Sequence, residues 1–572
     1  MTQTLRIIRK DARHLRWALL AWTAVVAAHV ALSVVLASVD VQGFAMALVA
    51  RQLTSLTSLI QLVMLCLIVS WIVHEDPVVD REAMWLTRPI DPMRLTAAKL
   101  AMAGVVLILL PFAGELVTMG ILRVSAYDMA RATPVIVLNQ MVWVLVLTAA
   151  ATLTPSLTRY VLVIVAAAAA IVLLMSVTVA TLLLFSTPGS SSPRPEVGDP
   201  LPTVVATVLA IAIALWVILY QYRRRRARRA ATFGTAGLLM TLAVPIFWPW
   251  HVNRAPDPDP GAWSRDEARV GAVFNAGSVR VSDMPAFRRQ DTEKKQVAAS
   301  VVLTGMPDDV FVQAVEVNSQ LELAGATLRS RQTDMGSVHR VENSPATHTR
   351  LSSLRSAMGS LRLLESEAGE DYELSPVLLT VTDPDFARYG HTPGRLTATV
   401  DFYLHRWRIA GAIPLEAGSH LEEDTRRIEI VRVDRRADGC TVLLRDISIT
   451  PLFLSRTFNQ QEFVLRNGGL AQAIRGDGDQ GSFGLGGSSV APFLLALAMG
   501  GGDAYGANGQ GGSGFAVRTY GYRYPARMSS APSGQPVIDG SWLGGAEMVR
   551  VKTEYVGHVM RSLTVNNFRM AE

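Results

Sequence analysis

At 572 residues the chain is long enough for several domains, and half of its residues are apolar, with a mean hydropathy of +0.28. Its net charge of +6 rests on a run of arginines between residues 223 and 229, which overstates any attraction to nucleic acid. Two cysteines, Cys66 in an apolar run and Cys440 in polar sequence, exclude a disulfide framework within the polar half.

The apolar runs are confined to the first 250 residues. They fall at about Trp17–Val39, Leu53–Val73, Thr96–Leu122, Pro134–Thr154, Tyr160–Phe185, Leu201–Tyr220 and Phe233–Trp250. Each meets or approaches the about 20 residues that a helix needs to cross about 30 Å of hydrocarbon. The first is too long for a signal-peptide core and lacks a small-residue cleavage site, so it reads as an anchor. Basic residues gather in alternate loops: Arg6, Arg9, Lys10, Arg13, Arg16, Arg81, Arg88, Arg94, Lys99, Arg159 and Arg223–Arg229 against Arg51, Arg123, Arg131 and Arg194. The positive-inside rule puts the first set in the cytoplasm of a bacterial inner membrane and everything after the seventh run outside. That run is short, holds Pro245 and Pro249, and ends in Trp248 and Trp250. If it lay on the surface instead, the chain after Arg254 would be cytoplasmic.

Between the second and third runs lies the one long polar interval, His74–Leu100. Val79, Ala83 and Leu86 give Asp80–Leu86 a helical apolar face, and Pro89 drives Arg88 out of the α region and ends that helix. Asp91 and Pro92 then suit the cap and first position of a new helix running through Arg94 and Lys99 into the membrane. The spacing predicts an amphipathic elbow on the membrane surface; a generic basic cytosolic loop is the plainer alternative. The pattern acidic-Arg-Glu, Leu86, Arg88-Pro89-Ile90, a turn, then Leu95-x-x-x-Lys99-Leu100 resembles the loop between helices two and three of ABC-2-type transporter permeases. So does the basic entry Leu5-Arg6-Ile7-Ile8-Arg9-Lys10-Asp11. The resemblance covers roughly residues 1–229. It implies that Asp80, Arg81, Glu82, Trp85, Arg88, Pro89 and Asp91 form an ATPase-coupling elbow. It also implies a separate cytoplasmic ATPase that binds the ATP and a homo- or heterodimer of membrane subunits. That family has six spans and a cytoplasmic C-terminus, so a seventh run departs from it.

Polar groups inside the runs are costly and raise a functional question. Glu115 reads either as a group facing a cavity or partner helix, or as one side of an interhelical hydrogen bond; His29 and Gln61 read as the latter. Arg223, Arg224, Arg225 and Arg226 are expected at anionic lipid headgroups, where they fix topology.

The second half begins with a Pro/Asp-rich linker, 251–262, in which Asp257 and Asp259 are too few to imply a metal site. Alternating segments follow at Gln296–Leu303, Val310–Val317, Thr397–Leu404, Arg427–Val433 and Thr441–Ile447, with Asp438-Gly439 as a tight-hairpin signal. They predict a mainly-β soluble region after an α-helical membrane domain of six to seven transmembrane helices (residues 1–250). The β region is expected as one or two β-sandwich domains, 263–394 and 395–572, with a glycine-rich loop at 476–514. Arg350–Leu364 reads as a helix and Val490–Met499 as a buried apolar segment. Ala298–Val301 and Ser319–Glu322 echo Thr397–Val400 and Ser419–Glu422, the one hint of a tandem repeat.

No P-loop, HExxH, paired CxxC or GxSxG is present, so nothing nominates catalytic residues, a metal or a cofactor in this chain. The expectation is a membrane subunit of an ABC-2-like exporter rather than an enzyme. A membrane-anchored extracytoplasmic binding or scaffold protein is the alternative.

Overall fold

The computed structural model describes residues 2–38, 44–75, 91–167, 169, 200–246, 269–274, 276–283, 294–299, 301–307, 309–334, 353–364, 376–423, 425–436, 439–449, 461–486, 515–525 and 538–571. The first half is helical: α1 (Thr2–His14), α2 (Arg16–Ser38), α3 (Phe44–His74), α4 (Pro92–Ile121), α5 (Ala126–Leu153), α6 (Leu157–Ala167), α7 (Pro200–Arg224) and α8 (Ala227–Ile246). Among the described residues five stretches are long and apolar enough to cross a membrane: Arg16–Val35, Leu56–His74, Pro92–Ile121, Ala126–Leu153 and Val204–Arg224. This is the make-up of a multi-pass membrane protein.

Of the expected runs, Tyr160–Phe185 is described only in α6, and the rest of it lies outside the described residues. Phe233–Trp250 falls largely within α8, which turns back along α7. A Cβ at Gly237 would meet Ile213 Cγ2 at 2.8 Å, so the missing side chain is what lets the two helices approach. The bundle core joins Leu15, Trp22 and Val26 to Ile68, Val69 and Ile72 of α3, Met102 and Leu107 of α4, Val144 and Leu147 of α5, and Tyr160 of α6.

The second half is built of strands. Strands β1 (Gly271–Phe274) and β4 (Val301–Thr304) pair, and β3 (Lys294–Ala298) lies between β2 (Arg280–Asp283) and β8 (Val377–Thr382). The main sheet holds β5 (Val310–Leu323), β6 (Ala326–Asp334), β7 (Arg362–Leu364), β9 (Gly394–Pro414), β13 (Gln461–Asn467), β14 (Gln472–Arg475) and β17 (Ala546–Phe568), in the order β6-β5-β9-β17-β13-β14-β7. A further sheet holds β10 (His420–Glu423), β11 (Arg426–Arg436), β12 (Gly439–Ile449), β15 (Asp477–Gly486) and β16 (Phe515–Pro525), in the order β10-β11-β12-β16-β15. The Asp438-Gly439 signal falls at the β11–β12 hairpin, where Arg436 pairs with Gly439 and the glycine takes φ 142°.

Strands β9 and β17 pair from Gly394↔Phe568 to Pro414↔Glu547 with three register shifts. They run through two apolar cores. At one end Phe402, Leu404, Val559 and Leu563 pack under β3, β4 and β8 (Val297, Val301, Leu379). At the other, Ile413, Phe463, Leu465 and Met548 pack under Ile428, Val442, Leu444 and Tyr524 of the five-stranded sheet, closed by Trp542.

The expected division at residue 394 is crossed by this main sheet, since β5 hydrogen-bonds to β9 along most of its length. Of the glycine-rich loop expected at 476–514, Asp477–Gly486 is strand β15, paired with β16. Two further expectations are corrected. The helix expected at Arg350–Leu364 extends, among the described residues, only over 353–357. Gly359, at φ 71°, ends it, and Arg362–Leu364 is a strand parallel to β14. The sequence echo is no structural repeat: Ala298 ends one strand and Val301 starts another, whereas Thr397–Val400 lies inside β9. The segment Val490–Met499 lies outside the described residues.

Candidate functional site at the basic end of the helical bundle

Helix α1 turns inward a half-buried stripe at Thr4, Ile7, Ile8 and Ala12, continued by buried Leu15 just past its end, the i, i+3, i+4, i+7 spacing of an amphipathic helix, with the fully buried Asp11 carboxylate in its centre. Helix α4 buries Leu95, Thr96, Ala98, Lys99, Met102 and Ala103, with a single ammonium among them. The two meet: Lys99 Nζ donates to Asp11 Oδ2 at 2.9 Å, with 2% and 1% of the side chains exposed. A charge desolvated to this degree persists only when paired, so each residue fixes the other's position. Lys10 adds a second link, 3.1 Å from Glu75 just beyond the end of α3. The two stretches that carry the family resemblance are thus joined by a buried ion pair.

The elbow residues Asp80, Arg81, Glu82, Trp85, Arg88 and Pro89 lie outside the described residues, but both ends of the elbow are described. On the α3 side, His74 contacts Ser70 Oγ at 2.7 Å and the Thr154 carbonyl at 2.9 Å, and meets the Tyr160 ring edge-on. That places the end of α3 on the α5–α6 corner. On the α4 side, Asp91 caps the helix, its carboxylate accepting from Met93 N at 3.1 Å with Pro92 following.

Helix α4 is not uniform. Gly104–Leu109 is a π stretch followed by Pro111. In that register the Val106 carbonyl would accept from residue 111, which as proline has no N–H. Trp22 of α2 supplies the donor instead, its Nε1 3.0 Å from Val106 O. Just beyond, Gly114 lies against Val26 and Val30, and Glu115 is buried. His29 reaches Thr57 Oγ1 at 3.1 Å, an interhelical hydrogen bond, and Gln61 is buried one turn further along α3.

Two ends of the bundle can be told apart. Ile7, Leu95, Ile218 and Tyr222 pack in one cluster, so α1, the start of α4 and the end of α7 share one end. Arg223, Arg224, Arg225 and Arg226 are exposed there, as are Arg6, Arg9, Arg13 and Arg16. At the far end of α4, Met119 and Leu122 pack with Ala132 and Ile136 of α5 against Ile447, Ile449, Phe515 and Val517 of the five-stranded sheet. Arg427 donates to the Arg123 carbonyl at 2.9 Å. The β region therefore sits at the opposite end of α4 from α1.

Within the β region, Glu423 is reached by both Arg550 and Lys552. Burial alone would raise its pKa. The Lys552 hydrogen bond and the charges of Arg550, Lys552 and Arg426 outweigh that and hold it below the usual carboxylate range. Burial lowers His405 to about 4. A groove of about 650 Å³ is lined by Asp309, Ser356, Arg406, Trp407, Arg408 and Glu554; its guanidiniums lie 3.4 Å from Asp309 and 3.6 Å from Glu554. Among the described residues no group of His, Cys, Asp or Glu is arranged to hold a metal.

Sequence reasoning quoted Asp11 and Lys99 within the resembling patterns without pairing them, used His74 only to bound the polar interval, and gave Trp22 no role. The signal for the first two was present: one charged residue of each sign in the middle of an otherwise apolar helical stripe. Comparison with protein-family profiles, with curated proteins and with solved structures returns no match to this chain.

Proposed function

We propose that the chain is the membrane subunit of an ABC-2-like export system, passing movement from a separate cytoplasmic ATPase into the membrane. The observation that carries this reading is the buried Asp11–Lys99 pair. It ties a surface helix to the helix that leaves the elbow, so a push on either reaches α4 without slack. The anchoring of His74 and the cap at Asp91 support it by holding both ends of the elbow. The clustering of exposed arginines at the α1 end supports a cytoplasmic location for that end, and an extracytoplasmic one for the β region at the other. In this reading Glu115 belongs to the moving half of α4, and the β region receives or hands on the substrate. Two such subunits work together, and ATP stays with the partner.

The test is gentle affinity purification of the tagged protein from its own cells. A P-loop ATPase recovered in stoichiometric amount, and lost from an R81A/R88A variant that still inserts, is the expected result. If no nucleotide-binding protein co-purifies under conditions that preserve an authentic exporter, the reading fails. The second reading, an anchored extracytoplasmic binding module, is favoured by the groove at Trp407, and an isolated β region with full binding activity would support it.

A further inference from the structure

We propose that the exposed face of α1, the start of α2 and the α7–α8 turn form one binding surface for anionic phospholipid headgroups. The proposal does not depend on the transporter reading. Because α4 takes up the buried stripe of α1, Arg6, Arg9 and Arg13 are left on the outward face beside Leu5. At the start of α2 the Arg16 guanidinium stands 5.3 Å over the Trp17 ring, which is 71% exposed, and Leu20 follows, also exposed. A cation, an amphipathic ring and an aliphatic chain in that order match the descent from headgroup to acyl chain at a bilayer surface. The α7–α8 turn repeats the arrangement: Arg223, Arg224, Arg226, Arg228 and Arg229 are exposed, with Phe233 outward one turn later.

The two sets belong to one patch, since Ile7 and Tyr222 pack on the same cluster. Among the described residues the nearby acids do little to neutralise it: Asp11 is engaged by Lys99, Glu75 by Lys10, and Asp91 caps α4. A phosphodiester carrying net negative charge gains from every one of these arginines. A zwitterionic headgroup brings its own cation and gains less. Apolar side chains directly beneath the arginines favour a lipid over a soluble anion.

The experiment uses the purified full chain in neutral detergent. Phosphatidylglycerol or phosphatidylcholine with brominated acyl chains is added and tryptophan fluorescence followed. The chain has 11 tryptophans, so the Trp17 signal is taken as the difference between wild type and Trp17→Phe. We expect phosphatidylglycerol to quench this signal at several-fold lower mole fraction than phosphatidylcholine, and the preference to shrink in high salt. An R6Q/R9Q/R13Q variant should need roughly fivefold more lipid for each arginine removed. R6K/R9K/R13K should behave as wild type, which separates lost charge from lost fold. R223Q/R224Q/R226Q should move the same Trp17 signal because the surface is shared. Equal quenching by the two lipids, or a Trp17 signal indifferent to either glutamine variant, overturns the proposal. Glutamine variants that lose an acidic protein partner while keeping wild-type lipid quenching overturn it in favour of protein docking.

Discussion

Helix α4 is held at both ends, by opposite kinds of force. At the α1 end the hold is a buried charge pair, Asp11 with Lys99, directional and intolerant of loss. At the β end it is an apolar contact of Met119 and Leu122 with Ile447, Ile449, Phe515 and Val517, edged by one hydrogen bond from Arg427. An ion pair fixes register, because moving either charge by an ångström or two leaves it desolvated and unmatched. An apolar contact fixes proximity but tolerates sliding and small rotation, because the hydrophobic effect is non-directional. The contrast gives α4 a pinned end and an end free to glide, with the π stretch and Pro111 between them.

The largest test of this contrast is Lys99→Met. It leaves Asp11 buried without its cation and should cost about 3–5 kcal/mol in thermal unfolding in detergent. A D11L/K99M double variant should recover most of that loss. A K99M melt like that of wild type would break the idea of a pinned end.

Next comes pH. The unfolded chain protonates His405 below about 6.5, whereas the folded chain, with His405 held at about 4, does not until that pH is reached. The β region should therefore be fully stable above 6.5 and lose up to roughly 3 kcal/mol as pH falls from 6.5 to 4. Glu423, held below its ordinary range, adds a further loss in acid. Denaturant midpoints across this window should flatten in His405→Phe, while the melting of the helical bundle serves as the internal reference.

Between the two ends, Trp22→Phe removes the donor to the Val106 carbonyl. It should cost about 1–3 kcal/mol and speed amide exchange around residues 104–111. The smallest effect belongs to Arg427→Ala, about 0.5 kcal/mol, because the hydrogen bond is exposed and the apolar contact beneath it remains. A larger loss there would mean that the gliding end is pinned as well.

Much of the architecture was legible because membrane spans and strands announce themselves by period and length. The β11–β12 hairpin followed from Asp438-Gly439, and the start of α4 from Asp91-Pro92. What escaped depends on contacts far apart in sequence. Trp22 looks like any apolar-run tryptophan until α4 presents a carbonyl that Pro111 cannot serve. The helix expected at Arg350–Leu364 had helical composition, but Gly359 and pairing with β14 divide it between a turn and a strand. The division at 394 rested on the faint echo between Ala298–Glu322 and Thr397–Glu422, and only the ladder between β5 and β9 reveals that the sheet runs through. Within the site, Asp91 and Arg223–Arg226 are found at the same end as the pair that joins α1 to α4. That pair could have been suspected from two opposite charges stranded on apolar stripes.

Strand β17 carries a consequence for how the protein is made. Its residues enter three cores of the described β region: Val556, Val559 and Leu563 at one end, Val549 and Val551 beneath Trp407, and Met548 at the other. It separates β9 from β13 in the main sheet, and its far end returns to the region's first strand, where Arg561 bonds the Val270 carbonyl. None of these cores can close around a nascent chain that lacks this 23-residue strand. Synthesis must pass Phe568 before these three cores can close, so a ribosome that stops before β17 leaves them open. Only copies that carry β17 can close them.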